Sequence, residues 1–122
     1  MYEDRMALFA SISGAFELYM RLETLIRVRY PQAEIRPKRT QVGFFDGCGF
    51  AWASLPLRGK TGITVTLGLP EKLQSERVFA ASEPYPGRWT HHFIFQSTED
   101  INEEFISWLD AAHDFALARS RK

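Results

Sequence analysis

The chain has 122 residues, 45% hydrophobic and 25% charged, a length and balance that suit one globular domain spanning 1–122 and leave no room for two. Fifteen basic and fifteen acidic side chains cancel, so no global field draws the protein to nucleic acid or to a membrane surface. A single cysteine, Cys48, excludes an internal disulfide framework and a cysteine-rich zinc site, and no apolar run approaches the ~18 residues that cross a bilayer.

The opening Met1-Tyr2-Glu3-Asp4-Arg5 carries acids and no apolar stretch, so no secretory signal is read there and a reduced, cytoplasmic setting is expected. Residues 2–10 are expected to form a short helical turn or to fray. The spacing of Phe16, Tyr19, Leu22 and Ile26 predicts a helix over 13–30, with Ser11 or Ser13 as its cap and Pro31 as its stop. Glu17 with Arg21, and Glu23 with Arg27, are i,i+4 ion pairs in the favourable order.

Residues 34–97 read as strands. Glu34–Arg39 is polar, and Pro37 confines it to an edge or an end of pairing. Gln41–Phe45 and Phe50–Leu57 flank a turn at Asp46-Gly47-Cys48-Gly49. After a turn at Arg58-Gly59-Lys60, residues 62–69 alternate, with Ile63, Val65, Leu67 and Leu69 on one face and Thr64 and Thr66 on the other. Pro70–Arg77 is a polar connection with room for one helical turn. Val78–Tyr85 reads as an irregular strand, and Arg88–Ser97 alternates again. A last helix is predicted over 99–118, with a capping box at Ser97 and Asp100 (Asp100 with Glu103 is the alternative) and an apolar stripe from Ile101 to Ala116. The expected fold is α+β: a two-layer sandwich in which an antiparallel sheet of about five strands carries an N-terminal and a C-terminal helix on one face.

That arrangement leaves the reverse sheet face open. Trp89, His91, Phe93 and Phe95 share the core side, which places Arg88, Thr90 and His92 opposite. His91 and His92 therefore project apart and do not chelate. Small residues suit positions beneath a helix, so Ala51 and Ala53 face inward and Phe50, Trp52 and Ser54 outward. The candidate ligand surface is Trp52, Thr64, Thr66, Arg88 and His92, with Lys38 at its rim. A Trp beside hydroxyls and cations can stack on a ring and hold an anion. A plain solvated face, or a homodimer interface centred on Trp52, is the alternative.

Chemical motifs are mostly absent. No phosphate loop, nucleophile elbow or zincin motif occurs, and Cys48 in a turn reads as a bystander. Charge is distributed unevenly. Residues 21–60 hold eight basic and three acidic side chains, whereas 99–114 hold six acids and no Lys or Arg, which reads as two solvated faces of opposite sign. His113, between Asp110 and Asp114, is expected to be solvated. Arg36-Pro37-Lys38-Arg39 is too short a basic run to predict nucleic-acid binding.

Several segments together resemble a known bacterial family. They are Phe16 to Ile26, Pro37-Lys38-Arg39-Thr40, Val42-Gly43-Phe44, Phe50-Ala51-Trp52-Ala53, Gly87 to His92, and Asp100 to Leu109 leading to Ala111-Ala112. The chain resembles the domain of unknown function 5655 (DUF5655) and is similar in outline to YdhG-like and frataxin-like small α+β domains. The resemblance implies a compact α+β domain and carries over no catalytic residue. Frataxin-like proteins use acidic surfaces for iron, but here the acids lie on the closing helix.

Three functions follow as expectations. The first is an uncharacterised, non-catalytic binding or adaptor module without cofactor or metal, taking a small anionic or aromatic ligand or a protein partner near Trp52, Arg88 and His92. The second is a small enzyme using His92, with Arg88 and Lys38 as anion clamps. The third is a weak iron-binding module using Glu99, Asp100, Glu103 and Glu104.

Overall fold

The computed structural model describes residues 2–56 and 61–121, so the turn expected at Arg58-Gly59-Lys60, and Leu57 before it, lie outside the described residues. Two helices open the chain, α1 (Tyr2–Phe9) and α2 (Ala15–Arg29). The start of α2 differs from expectation. Gly14, with φ 80°, occupies the N-cap and no side chain caps the helix, so neither Ser11 nor Ser13 has that role. α1 is a full helix because Arg5 is anchored. Its Nε lies 2.7 Å from the Oε1 of Glu23, an attraction of charges in which the N–H is not aimed at the oxygen. The same carboxylate accepts from the Tyr19 hydroxyl at 2.6 Å and from Arg27 Nε at 3.1 Å. Glu23, read from its spacing only as the partner of Arg27, is thus almost fully buried. Phe9 stacks on Tyr19 with ring centroids 4.6 Å apart, completing the seam between α1 and α2.

Six antiparallel strands follow: β1 (Glu34–Pro37), β2 (Gln41–Asp46), β3 (Cys48–Ser54), β4 (Ile63–Leu69), β5 (Val78–Tyr85) and β6 (Arg88–Phe95). Their spatial order is β1-β2-β3-β4-β6-β5, one strand more than the expected five. Pro37 ends edge strand β1, where its missing N–H costs no ladder bond. Helix α3 (Glu103–Ser120) packs on β3 and β4, and α2 packs beside it on β4. Between the layers lie Leu22, Ile26, Val65, Leu67, Phe93 and Leu109, all fully buried. The result is a two-layer α+β sandwich.

Side-chain alternation assigns faces as expected except at Phe50. The β2–β3 register shifts so that Phe44 faces Ala51 and Phe45 faces Gly49, leaving Phe50 as an extra residue. This bulge turns Phe50 inward, out of step with Trp52 and Ser54. It is fully buried, with the Tyr30 ring edge-on at 5.4 Å. The hairpin is also tighter than expected. Asp46 pairs with Cys48, and Gly47 alone occupies the tip at φ 77°, a conformation that favours glycine.

The connection 70–77 forms no helical turn. Instead it closes over the sheet, and Leu73 N donates to His91 Nε2 at 2.9 Å. The capping box at Ser97 and Asp100 forms, but it caps a short 3-10 turn (Thr98–Asp100). The chain then breaks at Ile101, and α3 starts at Glu103 with Asn102 as its cap, rather than at 99. Among the described residues, no helix is long and apolar enough to cross a membrane.

Candidate functional site

The face away from the helices carries Trp52, Thr66 and His92 in one cross-strand row, because Trp52 pairs with Thr66 and Thr66 with His92. Trp52 lies flat because glycine flanks it. A Cβ at Gly49 would approach Trp52 Cζ2 to 2.5 Å, and one at Gly43 would approach Phe45 Cε1 to 2.6 Å. Phe45 meets the indole edge-on at 6.3 Å. The Trp52 ring therefore covers a floor of backbone rather than standing out into solvent.

At the end of the sheet where β3 and β6 begin and β4 finishes, this floor opens into a recess of about 140 Å³. Trp52, Arg88 and Thr90 line it from the open face, Tyr85 from the β5–β6 hairpin, and Trp89 from the far side of β6. Phe115 and Arg119 close it from the last turns of α3. Arg119 Nη2 donates to the Gly49 carbonyl at 3.2 Å, and its guanidinium lies 4.5 Å from the Phe115 ring centre. The Arg88 guanidinium lies 5.5 Å from the Tyr85 ring centre. None of the residues lining the recess is acidic.

Of the six residues proposed from sequence, Trp52 and Arg88 meet in this recess. His92 shares the face of Arg88 but sits four residues along β6, about 13 Å away at the strand rise. Its Nδ1 lies 2.8 Å from Thr66 Oγ1, and Phe79 tilts against the ring at 6.0 Å. Burial holds its pKa below the usual histidine range, so the imidazole is neutral at pH 7. Thr64 lies between Ser54 and Ile94 in the middle of the sheet and is buried. Lys38 stands in the β1–β2 turn, with β2, β3 and β4 between it and His92. There it lines a separate hollow beside Asp4 and Leu8 of α1. No single small ligand reaches Lys38, Arg88 and His92 together.

A second polar cluster joins residues that lie far apart along the chain. His113, expected in solvent, is half-buried, and its Nε2 lies 2.7 Å from Asp46 Oδ2 in the β2–β3 hairpin. Its ring stacks on Tyr30 at 4.2 Å and meets Phe50 edge-on at 5.1 Å. The Tyr30 hydroxyl donates to Asp110, which also takes a two-pronged bond from Arg29. The Arg29 bond, aided by Tyr30, holds the Asp110 pKa below the usual carboxylate range. The Arg29–Asp110 pair thus joins the basic and acidic segments at one point across the helix pair, while most of their other charges are exposed, as expected.

The model of the domain of unknown function DUF5655 matches residues 9–116. The chain belongs to the DUF5655 family. No curated protein and no solved structure matches it. The matched span of this DUF5655 domain contains the sheet, α2 and most of α3, including Trp52, Arg88 and Phe115, while Arg119 lies three residues beyond it.

The acids considered for iron are dispersed. Asp100 Oδ2 accepts from the backbone of Gln96 and Ser97, and Glu104 pairs with Arg77 at 3.0 Å. Among the described residues of the DUF5655 domain, no three His, Cys, Asp or Glu side chains converge as metal ligands. Cys48 is half-buried at the start of β3.

Proposed function

We propose that this DUF5655 domain is a non-catalytic binding module whose ligand enters the recess between Trp52 and Arg88. One observation carries the reading: an indole lying flat on backbone and an exposed guanidinium line the same concavity, together with a second arginine and no carboxylate. Such a surface gains both apolar contact and charge attraction from one guest. His92 stands apart from it, bonded to Thr66, and no histidine or carboxylate lines the recess itself, which favours binding over acid–base work there.

A thermal-shift screen of the intact chain against small carboxylates, phosphates, sugars and aromatic amines tests the reading. A ligand present at 100 times its Kd adds about 2.7 kcal/mol to stability. The shift is expected in the wild-type chain and is lost in Trp52→Ala. A shift that survives Trp52→Ala unchanged places the ligand elsewhere and refutes the assignment.

A further inference from the structure

The geometry points to a ring-bearing carboxylate as the guest of this recess: an aromatic acid, flat against Trp52, with its carboxylate shared by Arg88 and Arg119. The inference rests on the recess being a binding site and adds which chemical class it takes.

Size comes first. Sites for drug-sized ligands occupy roughly 300–1,000 Å³. At about 140 Å³ the recess matches a single ring with a short substituent, and most of a nucleotide or a disaccharide would stand outside it. Shape comes second. The floor is an indole kept flat by Gly43 and Gly49, where a Cβ would collide with Phe45 or Trp52. Trp89, Tyr85 and Phe115 form the walls. Flat aromatic surfaces on several sides favour a planar guest by offset or edge contact.

Charge comes third. Two guanidiniums border a concavity with no acidic residue in its lining. The acid nearest in the hairpin, Glu83, accepts from Gly87 N at 3.0 Å and so serves the turn. Arg88 and Arg119 are each held by an aromatic face, and Arg119 gives one N–H to the Gly49 carbonyl. A guanidinium has five N–H donors, so both keep donor edges for an anion. Arginine forks match the two oxygens of a carboxylate, which also fits the planarity of the walls better than tetrahedral phosphate does. The two cations come from β6 and from the last turn of α3, so the helix end completes a site begun by the sheet.

The experiment is a titration of the intact, 15N-labelled chain with benzoate, followed through the indole N–H resonances of Trp52, Trp89 and Trp108. Benzamide serves as the neutral isostere and acetate as the anion without a ring. Benzoate is expected to move the Trp52 and Trp89 resonances, to leave that of Trp108 in place, and to bind at least tenfold more tightly than either control. Arg88→Gln and Arg119→Gln are each expected to weaken benzoate about tenfold while leaving the response to benzamide unchanged. Benzamide equal to benzoate overturns selection for an anion, and acetate equal to benzoate overturns selection for a ring; in both cases the recess remains a binding site. If none of the three moves the Trp52 resonance, the recess itself fails as a site. The comparison among the three ligands needs only the wild-type chain, so a variant that misfolds does not protect the inference.

Discussion

His113 Nε2 on α3 lies 2.7 Å from Asp46 Oδ2 at the end of β2, joining residues 67 positions apart. The contact closes the C-terminal helix onto the β2–β3 hairpin, and the stacked Tyr30 ring brings in the end of α2. His113→Ala removes one polar bond and two aromatic contacts together. A loss of about 2 kcal/mol is expected, from ~1 for the bond and ~0.5–1.5 for each ring contact with partial relaxation. Urea unfolding monitored by circular dichroism reads it. Asp46→Asn should cost less, because the rings stay packed. Equal losses in the two variants would show that the rings contribute nothing.

Glu23 is the electrostatic centre of the α1–α2 seam. Two cations and a phenol meet its carboxylate, and burial with the Glu23 bond pushes the Tyr19 hydroxyl pKa far above its ordinary value. Glu23→Ala strands the buried Arg5 guanidinium, so a loss of about 3–5 kcal/mol is expected. The double variant Glu23→Leu with Arg5→Met should recover part of it, since no charge is left uncompensated, although the buried Tyr19 hydroxyl still lacks its acceptor. A double variant as unstable as Glu23→Ala would contradict this account.

Burial holds both His91 and His92 below the usual histidine range; at His91, the Leu67 and Trp89 backbone offsets that only in part. A depressed histidine pKa means that the unfolded chain binds more protons near pH 6 than the folded one does. Stability is then complete above the unfolded value of ~6.5 and declines as pH falls through it toward the folded value. Protonating His91 Nε2 also breaks its bond from Leu73 N. Acid should therefore loosen the 70–77 connection first. Hydrogen exchange at Leu73 is expected to accelerate below about pH 6 relative to Phe93. Parallel rates at the two amides across that range would rule out the mechanism.

Gly49 is required by the indole that it supports. In Gly49→Ala the new methyl meets Trp52 Cζ2 at 2.5 Å and Phe45 Cε2 at 3.0 Å, so the ring must lift. The cost is expected to be about 1–3 kcal/mol, the range for overpacking. Trp52 fluorescence should shift toward the red as the indole gains water. An unchanged spectrum would mean that the ring is not seated on this floor.

Much of this molecule is legible without coordinates. Alternation in 62–69 and 88–97 reports which residues face the helices, because a strand reverses its side chains at each step and one face is dry. Helix spacing in 16–26 and 101–116 reports the second layer for the same reason at a different period. Arg88 follows from this alternation and Trp52 from the small residues Ala51 and Ala53 beside it, and the two meet in the recess.

The remainder depends on what lies opposite in space. Phe50 breaks the alternation because a bulge, a matter of register between two strands, gives β3 one residue more than β2 at that point. The spacing of Phe115 and Arg119 hints at a shared helix face, but nothing local says that this face ends against Trp52 and Arg88. Arg5 with Glu23, and His113 with Asp46, are paired across long stretches of chain, and the sequence contains no distance between them. Backbone periodicity determined the elements and their faces; only the packing of helix ends on sheet ends decided which charges meet, because that follows from the path of the whole chain.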